Sequence, residues 1–129
     1  MMLVWTRSTP APLPRDVIAD RVLIEKSARH LTLLRRGLPL RTYTVALGRQ
    51  PRGAKARVGD QRTPEGRYVI DGRKPDSAFH RALHISYPSA ADIARARAEG
   101  ASPGGDIMIH GIRNGLGWIG HLHAKLDWT

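Results

Sequence analysis

A chain of 129 residues predicts a single domain with room for a modest core. Its 41% hydrophobic and 25% charged residues exclude a disordered chain, and no apolar run nears the roughly 18 residues of a membrane-spanning helix. Lys and Arg number 21 against 11 Asp and Glu, a formal charge of +10 that favours an anionic partner, and the absence of cysteine excludes disulfides and thiolate metal sites.

Met1 to Trp5 is apolar, but Arg7 and then Pro10, Pro12 and Pro14 follow it. This start is far shorter than the apolar centre of a signal peptide. Residues 1–18 therefore read as an extended leader. Arg21 to Glu25 is β-branched and apolar and predicts a first strand. Ser27-Ala28-Arg29 is a turn, and His30 to Leu34 a second strand. Arg36-Gly37 turns the chain into a third strand, Leu40 to Leu47, in which Tyr43 and Val45 alternate with Thr42 and Thr44. The short connections predict an antiparallel meander.

Gly48 to Arg62 is polar and basic and lacks the glycine-lysine pattern of a phosphate-cradling loop, so it reads as a solvated loop. Pro64 and Gly66 turn into a strand from Arg67 to Ile70, and Leu83 to Ser86 is a further strand stopped by Pro88. Ala90 to Glu99 is the one clear helix, with Ser89 placed to cap it and Gly100 to end it. Gly104-Gly105 then leads into the apolar strand Ile107-Met108-Ile109, which delivers His110 onto Gly111.

His110 is the candidate general base, since an imidazole at a strand end can take the proton of a nucleophile. On the residues alone, a histidine satisfied by hydrogen bonds at a strand end is the favoured reading. His80 and His84 stand four apart, His121 and His123 two apart, with Asp106 or Asp127 as a third ligand for zinc. No H-E-x-x-H accompanies them, and the reading assigns no metal and no cofactor.

Three stretches carry a resemblance. His110-Gly111 followed by a glycine-rich loop and Thr129 resembles the His-Gly … Ser/Thr-x-Gly-Cys signature of the L,D-transpeptidase (YkuD-type) family. Arg62-Thr63-Pro64-Glu65-Gly66-Arg67-Tyr68 resembles that family's Thr-Pro-x-Gly-x-aromatic strand entry. Leu83-His84-Ile85-Ser86-Tyr87-Pro88 resembles a segment of one short branch. The resemblance runs from about Ala19 to Thr129. It implies a mainly β, sandwich-like domain over residues 19–129, with one short helix and its C-terminal part missing. It implies cysteine acyl transfer from peptidoglycan tetrapeptide stems, with His110 as base and Gly111 as the motif glycine. It also implies a periplasmic or cell-wall location.

Tyr87, Arg113 and Trp118 become candidates for lining the stem groove. The cysteine of the signature, and the backbone amides around it that would hold an oxyanion, have no counterpart here, so the chain is expected not to turn over. Two other readings stay open: a non-catalytic binder of anionic cell-wall polymer or nucleic acid, nucleic acid being the less favoured ligand, and a zinc peptidase. An uncovered strand edge would promote self-association.

Overall fold

The computed structural model describes residues 13–77 and 80–110, and their side chains apart from those of residues 74–81. The expected mainly β fold is present. The described residues form two three-stranded antiparallel sheets and one short helix. They fall into two compact units that divide between Ala46 and Leu47.

The first unit is the predicted meander of β1 (Arg21–Glu25), β2 (His30–Arg35) and β3 (Leu38–Thr44), in that order across the sheet. Arg29, with φ of 52°, closes the first turn, its N–H donating to the Lys26 carbonyl. Arg36 and Gly37 both have positive φ, 50° and 78°, the geometry of a two-residue hairpin turn that matches strand twist. Asp20 braces this turn by accepting from the Arg36 N–H at 2.9 Å. Pro39 lacks an N–H and lies on an edge strand of the described sheet, where none is needed. Leu31 and Thr32 are buried, and the Thr32 and Thr42 hydroxyls meet at 3.0 Å across β2 and β3.

The third strand differs from the expected Leu40 to Leu47. It starts earlier because the tight turn pairs Arg35 with Leu38 at once. It stops at Thr44 because its partner begins at His30, and the Val45 N–H is taken by the Arg29 carbonyl. The expected alternation fails as well, for Tyr43 and Thr42 are both exposed. A bulge at Leu33/Leu34 breaks the two-residue period along this pair.

In the second unit, β4 (Ile70–Ser77), β5 (His80–Ile85) and β6 (Met108–His110) form a sheet with β5 in the centre. The predicted strand Arg67 to Ile70 is mostly irregular backbone. Val69 is nevertheless clamped to Ser86 by two bonds of 2.8 Å, its N–H to the Ser86 hydroxyl and its carbonyl to the Ser86 N–H. Pairing then runs on through the polar residues of β4, beyond the expected end at Ile70.

The helix α1 (Ala90–Ala98) carries both predicted end signals. Ser89 and Asp92 form a reciprocal capping box at its start. Gly100, at φ of 68°, closes its end, with the Ala101 N–H donating to the Ala96 carbonyl and the Gly100 N–H to that of Arg97. Among the described residues, Ala82, Tyr87, Ala96 and Leu47 are the buried apolar residues of this unit.

The segment from Gly48 to Arg62 is the largely exposed loop its charges predict, with Arg49, Arg52, Arg57 and Arg62 exposed, but it is tied down at Lys55 and Asp60. Lys55 is 7% exposed and reaches Asp60 at 2.9 Å and the Arg57 carbonyl at 3.1 Å. Asp60 also accepts from the backbone N–H groups of Ala56, Arg57 and Arg62. Burial alone would raise the Asp60 carboxyl, but these donors outweigh it and hold the group far below its ordinary value. Gly48 is needed where it stands, because a Cβ there would lie 2.3 Å from the Gln61 carbonyl oxygen. The loop is thereby folded onto its own backbone.

Candidate functional site

His110 ends β6, and its side chain is exposed. The strand is shifted by one residue from the expected Ile107 to Ile109, since His110 itself pairs with Ala82. Ile109 pairs with Leu83 and Met108 with His84. Residues opposite one another share a sheet face, so Ala82, His84, Met108 and His110 all lie on one side. His84 and His110 are diagonal neighbours there, at a separation of about 7–8 Å between backbones.

His84 is held from two directions. Its Nδ1 donates to the Asp71 carboxylate, and its Nε2 faces Asp106 Oδ1 at 3.8 Å. Asp71 occupies an irregularity of β4, between the paired residues Ile70 and Gly72. Such a bulge re-aims a side chain that strand alternation would direct elsewhere. Gly72 lies opposite His84, where an added Cβ would touch the His84 Cβ at 3.4 Å, an ordinary contact. The sequence reading named His84 as a zinc candidate and missed the Asp71 pairing. The available sign was an Asp-Gly beside a strand start.

The segment leading to β6 is fixed from behind. Tyr87 is 2% exposed, and its hydroxyl donates to the Pro103 carbonyl at 2.7 Å. Its ring meets that of Tyr68 edge-on, with centroids 5.8 Å apart. The ring proposed to line a groove is thus taken up in packing. Val58 donates its N–H to the Ser102 carbonyl at 2.8 Å, so the folded loop also grips this segment. Tyr68 donates to Asp92 at 2.8 Å, which ties the Thr-Pro-x-Gly-x-aromatic stretch to the helix start. Thr63 of the same stretch accepts from the Gly48 N–H at 3.0 Å. Burial and the bond to Asp92 push the Tyr68 phenol up to about 12.

Gly111, Arg113 and Trp118 lie outside the described residues, as do His121, His123 and Asp127 of the zinc reading. Among the described residues, no three His, Cys, Asp or Glu side chains gather as metal ligands. No helix among them is long and apolar enough to cross a membrane.

Comparison with known proteins places this geometry. The family model of the YkuD L,D-transpeptidase catalytic domain matches residues 19–126. The chain belongs to the L,D-transpeptidase family. A protein of Escherichia coli K12 named "Putative L,D-transpeptidase YafK" is 43% identical over 77 residues, covering 58% of this chain and 29% of that relative. Its counterpart of the same name in Escherichia coli O157:H7 matches to the same extent. The chain thus spans less than a third of the length of these L,D-transpeptidase relatives. No solved structure matches it.

Proposed function

We propose that this chain carries the base-bearing part of a cysteine acyl-transfer site that acts on peptidoglycan stem peptides outside the cytoplasmic membrane. The observation that carries this reading is His110, exposed at the end of β6 and followed in sequence by Gly111, in a member of the L,D-transpeptidase family. In the complete reaction a cysteine thiolate attacks a tetrapeptide stem to give a thioester, and an amine then takes the acyl group. An imidazole beside the sulfur accepts the thiol proton and returns it to the leaving amine. The chain's 129 residues include no thiol. Its own contribution is therefore to bind and orient the stem and to supply the imidazole. The +10 charge suits a ligand whose stems carry free carboxylates.

A carbapenem, which acylates nucleophilic cysteines of this family, tests the assignment. Intact-protein mass spectrometry is expected to show no mass gain on the 129-residue chain. A stoichiometric adduct would identify another nucleophile and overturn the mechanism.

A further inference from the structure

The loop from Gly48 to Arg62 gathers positive charge and withdraws the acid that would balance it. Arg49, Arg52, Lys55, Arg57 and Arg62 stand there against Asp60 alone. Asp60 is spent on Lys55 Nζ and on the N–H groups of Ala56, Arg57 and Arg62. Arg57 reaches Glu99 at the end of α1, at 3.3 Å. The other three, Arg49, Arg52 and Arg62, are exposed, and no described carboxylate forms an ion pair with their guanidinium groups.

Folding brings these three arginines onto one short stretch of backbone. The Gln50 N–H donates to the Gln61 carbonyl at 2.9 Å and the Lys55 N–H to that of Thr63 at 3.3 Å, so residues 48–55 lie along residues 61–63. Arg49 is thereby held beside Gln61 and Arg62. Gln61 has φ of 58°, a left-handed conformation that is disfavoured without glycine. The Arg62 guanidinium lies against Gly53, where an added Cβ would come within 3.3 Å of Nη1, and so next to Arg52 in the chain. Cations gathered in this way repel one another, and an anion from outside removes that cost. The side chains narrow its chemistry. Guanidinium forks take carboxylates or phosphates through paired N–H bonds. The loop has no aromatic ring on which a nucleobase could stack, and between Arg49 and Arg57 no large apolar side chain to bury in a lipid surface. The peptidoglycan of the functional reading repeats free carboxylates along its length.

We infer that Arg49, Arg52 and Arg62 form a second docking surface for peptidoglycan, which holds the carboxylates of stems other than the one at His110. The inference rests on the functional reading above and adds a contact with the polymer around the reacting stem. The loop and His110 belong to one unit. The Val58 N–H, bonded to the Ser102 carbonyl at 2.8 Å, fastens the loop to the segment that runs into β6. A polymer that repeats its carboxylates can meet both surfaces at once, and each contact then raises the effective concentration for the other.

The test sediments the 129-residue chain with insoluble peptidoglycan sacculi, either native or with their carboxyl groups converted to amides. A chain carrying Arg49→Gln, Arg52→Gln and Arg62→Gln together should bind native sacculi about tenfold or more weakly. A control carrying Arg21→Gln, Arg35→Gln and Arg97→Gln removes the same charge from other exposed positions and should change binding by less than about twofold. Amidation should weaken the parent to the level of the loop variant. On the parent alone, soluble disaccharide-peptide oligomers should shift the side-chain Nε–H signals of Arg49, Arg52 and Arg62 in NMR, a readout that needs no variant to fold. An equal loss in the control, parent-like binding by the loop variant, or unmoved arginine signals overturns the inference. Indifference to amidation together with displacement by polyphosphate or duplex DNA overturns it too, and assigns the surface to phosphate. A single tetrapeptide stem followed at His110 separates the two claims. If it moves His110 while the loop variant binds sacculi like the parent, the second surface falls and the functional reading stands. If His110 stays silent while amide-sensitive, loop-dependent binding persists, the functional reading falls and the surface stands.

Discussion

Replacing Asp60 with asparagine is expected to lower the stability of the chain by about 3 kcal/mol, or roughly 10 °C in melting temperature for a domain of this size. One carboxylate oxygen accepts from Lys55 Nζ and the Arg62 N–H, and the other from the Ala56 and Arg57 N–H groups. An asparagine amide has one accepting oxygen, so either orientation turns its NH₂ against two donors. Lys55, 7% exposed, then loses its only described anionic partner, and breaking a buried pair from one side is the costly way to break it. Lys55→Met should cost less than half as much, since Asp60 keeps its three backbone donors.

The pH dependence has a definite sign. Asp60 is held below its ordinary value of 3.8, so its contribution is fully present above that pH and is lost as the pH falls towards the lowered folded value. Urea melts across the acid range should therefore show a steeper loss of stability below about pH 4 for the parent than for Asp60→Asn. Equal stability of the two proteins at neutral pH would show that the loop is not held by this carboxylate.

Asp92→Ala is expected to cost about 2 kcal/mol, roughly half of it from the helix cap. Asp92 accepts from the Ser89 N–H and hydroxyl and from the Tyr68 hydroxyl, and lies 3.4 Å from Arg95. Burial alone would raise this carboxyl, but the donors, led by the Ser89 N–H, hold it below its ordinary value. Tyr68 answers in the other direction. Its phenol, pushed up to about 12 by burial and by Asp92, should titrate nearer 10 in the variant. Because the folded value is raised, this tyrosine's contribution is present below pH 10 and is lost as the pH climbs towards 12. Ultraviolet titration of the tyrosines and a thermal melt read both effects. A variant that melts with the parent would assign Asp92 no role in joining the Tyr68 stretch to the helix.

These two carboxylates mark where sequence reasoning ran out. The strands from Arg21 and His30 were legible because short runs of β-branched and apolar residues stand there between short turns. The helix was legible because Ser89 and Gly100 supply both of its end signals within the sequence. His110 was legible as a strand-end histidine before a glycine. By contrast, β4 is rich in polar residues, and its pairing is set by β5 rather than by its own pattern. The Lys55–Asp60 pair looked like two more surface charges, because nothing in the letters shows that three backbone N–H groups turn towards one carboxylate. His84 lies 13 residues from Asp71 and 22 from Asp106, and only the sheet brings them together.

The claim on which the functional account turns is that a peptidoglycan stem binds against His110. Its most direct measurement is an NMR titration of the 129-residue chain with a tetrapeptide stem, following the His110 ring nitrogens, with intact mass recorded at the end. The account predicts a saturable movement of the His110 signals and an unchanged mass. Unmoved His110 signals at saturating stem, or a covalent adduct on a chain without cysteine, would contradict it.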